Sequence, residues 1–197
     1  MTPGGSPERY ELVVPDGWWA IDLDPGRREA NVAALVEQQW RGIDDAPLLK
    51  AQAREELVRR AEEAARVGGR QLFLSVGTLA GVPLSASLLV STVPLATPGE
   101  LTELAESRRE AGLDVGHVAL PAGPALRTRW REASVEGPDQ PTTTCLDLHV
   151  PVPSEPRVLL LQFRTPMEPL ADALVDVFDA IAGTLRWSSV PGRSGRR

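Results

Sequence analysis

The chain is expected to fold as α+β: one domain in which an antiparallel sheet of about six strands carries helices packed on its faces. Three observations predict this. Strand-like runs follow one another directly, with four in succession between Leu113 and Arg164 joined by short Pro- and Gly-containing links. Helical patterns fall between groups of strands instead of alternating with single strands, which argues against a doubly wound parallel sheet. A chain of 197 residues, 42% hydrophobic and 24% charged, has ordinary globular composition. At that size it buries about 70% of the surface its unfolded form exposes, enough for a single core.

Residues 1–8 are rich in Pro, Gly and Ser and are expected to form a disordered tail. The basic stretch 188–197 is expected to do the same, leaving a single domain over 9–187. Tyr10–Val14 and Trp18–Leu23 flank Pro15-Asp16-Gly17, and aromatic and β-branched runs on either side of such turn residues predict a β-hairpin. Asp24-Pro25 then opens a helix, with the aspartate as cap and the proline at the first helical position. Val32, Val36, Trp40 and Ile43 form its apolar face. A second helix starts near Pro47, with Leu49, Ala53, Leu57, Ala61 and Ala64 as its stripe and Gly68-Gly69 as its stop. The alternating Arg and Glu residues between Arg54 and Glu63 belong to its solvated face, where opposite charges three or four apart support a helix.

Gln71–Ala80 and Pro83–Val93 read as two strands meeting at Gly81. Thr97-Pro98-Gly99-Glu100 has capping-box spacing and leads into a short third helix carrying Leu101, Leu104 and Ala105. Leu113–Leu120, Ala125–Ala133, Thr143–Val152 and Arg157–Arg164 are four successive strands, and their short links favour an antiparallel meander. Pro169 is placed as the first residue of a closing helix, because deeper in the helix its missing N–H would leave a carbonyl unpaired. Leu170, Leu174, Val177, Phe178, Ile181 and Leu185 give that helix a strong apolar seam.

A net charge of −6 argues against nucleic acid or an anionic membrane as partner. Cys145 is the single cysteine, so neither a disulfide framework nor a thiolate zinc cluster is available. No apolar run reaches the roughly 20 residues of a membrane helix, and the first residues lack the apolar core of a signal peptide. The expectation is a soluble cytoplasmic protein. One lysine, Lys50, among 21 basic residues points to a GC-rich bacterial genome. Two histidines, His117 and His149, lie too far apart in sequence for usual metal-ligand spacing, and Asp22, Asp24, Asp44 and Asp45 read as turn and cap residues. No phosphate- or dinucleotide-binding context surrounds the glycines, so no cofactor and no metal are expected.

Cys145, Asp147 and His149 share one face of a strand and contain the residue types of a cysteine nucleophile triad. Their spacing weighs against that chemistry, since i and i+4 in a strand are about 13 Å apart and a nucleophile and its base must approach to about 3 Å. A polar sheet face is the better reading. If the link after Ala133 turns near Pro138, Arg129 falls opposite Asp147 and Trp130 opposite Leu146. Arg127, Arg129, Arg131, Asp147 and His149 would then lie together, either solvated, covered by a helix, or presented to an acidic peptide or anion. Trp18 and Trp19 are adjacent, so one must point away from the face the other uses, either under a helix or into a partner.

Tyr10-Glu-Leu-Val-Val-Pro-Asp-Gly-Trp18, the closing strand with its Phe163-Arg-Thr-Pro166 turn, and the amphipathic helix after it resemble the PsbP-like superfamily. The string Leu120-Pro-Ala-Gly-Pro124 before a basic strand resembles an uncharacterised cytoplasmic actinobacterial branch of it. The resemblance implies an α/β/α sandwich over Tyr10 to Trp187. Relatives in that superfamily include an extrinsic photosystem II subunit, a Ran-binding import factor and actinobacterial lipoproteins. It further implies a non-catalytic interaction or assembly protein acting on another protein. An accessory of a larger secretion or injection apparatus is one specific form of such a factor, and no residue marks it. The alternatives are a small-ligand or anion-binding domain using Arg127, Arg129 and Arg131, and, by family analogy, a small-GTPase regulator.

Overall fold

The computed structural model describes residues 9–41, 47–79, 81–97, 99–133 and 142–188. Ile43, Asp44, Asp45, Ala80, Pro98 and the two expected tails, apart from Ser188, fall outside these. In chain order the elements are β1 (Arg9–Glu11), β2 (Trp18–Asp22), α1 (Arg28–Gln39), α2 (Pro47–Arg66), β3 (Gly69–Ser75), β4 (Thr78–Leu79), β5 (Val82–Pro83) and β6 (Ser87–Pro94). They continue with α3 (Glu100–Glu110), β7 (Asp114–Leu120), β8 (Gly123–Glu132), β9 (Thr143–Pro151), β10 (Arg157–Thr165), α4 (Ala171–Ala182) and β11 (Arg186–Ser188).

One seven-stranded sheet, in the order β2-β3-β6-β10-β9-β8-β7, organises the molecule, and every neighbouring pair in it is antiparallel. The expected meander is its second half, β7 to β10. On one face lies α4, whose Ala171, Leu174, Val175, Phe178, Ile181 and Ala182 are buried. They pack on Leu88, Val90, Leu146, Leu148, Leu159, Leu161 and Phe163. Phe178 stacks on Phe163 with ring centroids 4.8 Å apart. On the other face α1 and α2 enclose a smaller core of Ile21, Leu23, Val32, Leu35, Val36, Ala61 and Leu72. Helix α3 packs over β7 and β8.

Several local expectations are corrected. Residues 10–23 form no hairpin: Pro15 to Gly17 do turn, but β1 leaves to pair with β11 while β2 pairs with β3. Tyr10 lies opposite Trp187, and the Trp187 indole N–H donates to the Ala122 carbonyl at 2.8 Å, which ties the β1–β11 pair to the turn between β7 and β8. Helix α1 starts at Arg28 because Asp24 first makes a turn: its side chain accepts the Gly26 N–H at 2.9 Å and its carbonyl accepts Arg27 and Arg28. Pro169 sits in a 3-10 turn over Glu168–Leu170 ahead of α4. Helix α4 ends at Ala182, and the chain re-extends so that Arg186, Trp187 and Ser188 form β11.

Gly69, at the α2–β3 junction, has no room for a side chain. A Cβ there would stand 2.5 Å from the Ala64 carbonyl oxygen and 2.7 Å from Leu89. Gly68 before it adopts φ 85°, the left-handed conformation that ends a helix readily only at glycine.

Candidate functional site

The register between β8 and β9 decides which polar groups meet. Thr128 lies opposite Asp147, Arg129 opposite Leu146 and Trp130 opposite Cys145. This is one residue away from the expected pairing, and a one-residue slip exchanges the faces of a strand. Arg127, Arg129 and Arg131 therefore share the α4 face with Leu146 and Leu148, while Asp147 and His149 share the opposite face with Trp130. The expected five-residue polar face is two separate groups.

The arginine group braces α4. Arg127 donates from Nε and Nη2 to the two carboxylate oxygens of Asp179, at 2.9 and 2.8 Å. That bidentate pairing raises the Arg127 pKa, and its Nη1 stands 3.8 Å from Asp114. Arg129 donates to Asp172, holding that carboxyl below its ordinary pKa. Arg131 reaches Glu168 at 3.2 Å. Three successive outward positions on β8 are thus matched by acids on α4 and the turn before it. Arg129 and Arg131 also line a shallow depression of about 510 Å³ with Gly112, Leu113, Asp114 and Trp130.

On the opposite face Asp147 is the hub. Its side chain is 4% exposed and takes Arg164 Nη1 at 2.8 Å and Arg108 Nη2 at 3.6 Å. Both guanidiniums also lie over the Trp130 ring, 4.9 and 5.7 Å from its centroid, so one indole and one carboxylate hold two cations together. His149 is buried beside them. Burial, with Arg108 nearby, pushes its pKa down to about 4, so the imidazole is neutral at pH 7. The side chains of Thr128, His149 and Arg108 each keep one buried polar atom without a protein partner.

Cys145 is fully buried, and desolvation pushes its thiol up to about 11. Its sulfur reaches Glu132 at 3.8 Å and the Thr143 carbonyl at 3.7 Å, while His149 lies four residues along the same strand. A protonated thiol and a distant neutral imidazole make no nucleophile–base pair. Among the described residues no group of three or more His, Cys, Asp or Glu side chains is arranged to hold a metal ion. No helix among them is long and apolar enough to cross a membrane.

Both tryptophans of the adjacent pair are half-buried. Trp18 meets Phe178 edge-on at 6.4 Å, and Trp19 packs on the α1–α2 core. Their expected opposition holds, and each face supplies a helix to cover its indole.

The exposed feature that sequence patterning does not mark is a gap between helices. Helix α2 packs on β3 and α3 on β7 and β8; among the described residues neither helix packs as closely on β6 or β10 between them, where only Leu89, at the α2 side, joins the α1–α2 core. Leu89, Leu160, Gln162 and Arg164 are accordingly only half-buried. At one end of this strip two adjoining hollows of about 410 and 330 Å³ share Arg60, Leu74 and Ser87. Leu35, Leu57 and Arg164 line the larger one.

No protein-family model and no curated protein sequence matches the chain. Solved structures do. LpqN, described as involved in cell envelope biogenesis of Mycobacterium tuberculosis, aligns at 12% identity with a TM-score of 0.50, covering 95% of this chain and 86% of that one. The solution structure of the cyanobacterial PsbP protein CyanoP from Synechocystis aligns at 11% identity and a TM-score of 0.45, covering 95% of this chain and 96% of that one. The seven-stranded antiparallel sheet between α4 and α1–α3 is an α/β/α sandwich, the layering that the strand and turn resemblance implied, and it shares its fold with LpqN.

Proposed function

We propose that this chain is a non-catalytic interaction domain, an accessory or assembly factor of a bacterium, which docks a partner protein on the strip of sheet between α2 and α3. The observation that carries the reading is the strip itself: half-buried Leu89 and Leu160 beside Arg60 and Arg164, which are held by Glu56 and Asp147, on a sheet whose other face is covered by α4. Apolar surface with a few fixed charges is what a partner segment can bury with orientation. The buried thiol and the neutral histidine fit a binding role better than a hydrolytic one. The partner's segment is apolar with an acidic side chain, to match the two arginines. A cytoplasmic site of action and a role in a larger secretion or injection apparatus belong to this proposal, and a small GTPase is a second candidate occupant of the same strip.

The test is a photo-crosslinking residue at position 162 in the strip, compared with one at position 13, where Val13 is exposed on the α4 side. Crosslinking in the source cell is expected to give a defined adduct from position 162 and none from position 13. Equal adducts from both positions, or none from 162, would sink the proposal.

A further inference from the structure

The two edges of the sheet are finished differently. At the β2 edge the strand is five residues long, and α1 leans on it: the Asp22 N–H donates to Asn31 Oδ1 at 3.5 Å. At the other edge β7 runs seven residues, and among the described residues its backbone bonds only to β8. Edge strands are normally blunted by lysine, proline, a bulge or a cover. From Val115 to Leu120 the strand reads Val-Gly-His-Val-Ala-Leu, with no lysine, no proline and unbroken register to β8. A row of outward N–H and C=O groups on a regular, largely apolar strand is a template for one more strand.

The chemistry beside this edge selects what kind. Asp114 at the start of β7 lies opposite Arg129 on β8, and β8 extends past it to Arg131. The depression holding Arg129, Arg131, Leu113 and Trp130 therefore lies where an added strand would run off the Asp114 end. Arg131 is about half-exposed at 52%, and the acids now facing the two arginines, Asp172 and Glu168, are 85% and 58% exposed. Exposed pairs of this kind exchange at little cost. Asp114, the acid within the depression, already has Arg127 at 3.8 Å. We infer that the free edge of β7 accepts an extended segment of a partner protein as an added strand, and that an acidic side chain at the end of that segment seats against Arg129 and Arg131. In the antiparallel arrangement this acid sits at the segment's C-terminal end. This surface is separate from the strip between α2 and α3.

The probe is a synthetic peptide, acetyl-Thr-Val-Thr-Val-Thr-Asp-Glu-amide, with a control in which two lysines replace the acidic pair. Each is titrated into the full-length protein while backbone amide hydrogen exchange is followed residue by residue. The expected result is new protection confined to Val115–Ala119, with the acidic peptide binding roughly tenfold tighter than the lysine peptide at low salt. Arg131→Glu, at a half-exposed position that leaves the core intact, should abolish the preference while alternate β7 amides still become protected. Three results would overturn the inference. One is no β7 protection with either peptide. Another is equal affinity for the two peptides. The third is β7 already protected in a protein that sediments as a dimer, which would make a second copy the occupant.

Discussion

The two faces of the sheet are built on opposite principles. Under α4 the contacts are apolar and fully buried, with half of the helix's twelve residues inside the core, and the charges stand at the margin, where Arg127, Arg129 and Arg131 meet acids on α4 and the turn before it. Under α3 the order is inverted. Ala105 is that helix's one buried residue, and the charges, Arg108 with Asp147 and Arg164, lie inside. An apolar interface tolerates no opening without loss of area, whereas a polar one exchanges its hydrogen bonds for water at modest net cost. The α4 face is therefore the more rigidly packed one, and on the other face the α3 side is packed through charges while α1 and α2 enclose a smaller apolar core.

The sharpest way to break this contrast is at Phe178. Phe178→Ala removes a ring that touches both Phe163 and Trp18, and should cost about 3–5 kcal/mol in urea unfolding. A cost under about 1 kcal/mol would mean that the α4 face is not the more rigidly packed one. Next is Asp147→Ala, which strands two cations beside Trp130. The expected loss is about 2–3 kcal/mol, because hydrogen bonds to charged groups are lost on a largely buried carboxylate. Replacing Arg164 as well should recover part of it, and a double-mutant cycle measures how much.

Acid provides a third comparison. The folded pKa of His149, about 4, lies below the ordinary 6.5. Between those values the unfolded chain binds the extra proton, so stability falls as pH drops from about 6.5 towards 4, by on the order of 2 kcal/mol from this residue. His149→Gln should flatten that segment of the stability–pH curve. An unchanged slope would place its origin in other groups. The smallest effect is expected from Arg131→Ala: its pair with Glu168 is exposed on both sides, so stability should move by less than about 1 kcal/mol. A larger loss would make the margin of the α4 face structural as well.

What the sequence shows of this arrangement follows from which patterns burial leaves intact. The meander is legible because Leu113–Leu120 and Arg157–Arg164 are bounded by turn residues, and the opposition of Trp18 and Trp19 follows from strand alternation alone. The β8–β9 register is not legible. Strand β9 is buried at every position from Thr144 to Val150, so alternation in it carries no mark of inside and outside. The arginines of β8 add to the ambiguity, since residues that read as a solvated face are neutralised by acids some 40 to 50 positions further on. The strip between α2 and α3 leaves no local signal, because a gap between helices belongs to no single element.

The pairing of Arg9 with Ser188 has a consequence for how the molecule assembles. Strands β1 and β11 are three residues each and are separated by nearly the whole chain, so their association closes the longest loop in the fold for very few hydrogen bonds. Such a contact forms after the sheet and opens before it. During synthesis β1 leaves the ribosome well before β11 and waits for it to emerge. Until then Tyr10 and Trp187 lack each other, and the molecule is a sandwich with an unfastened clasp.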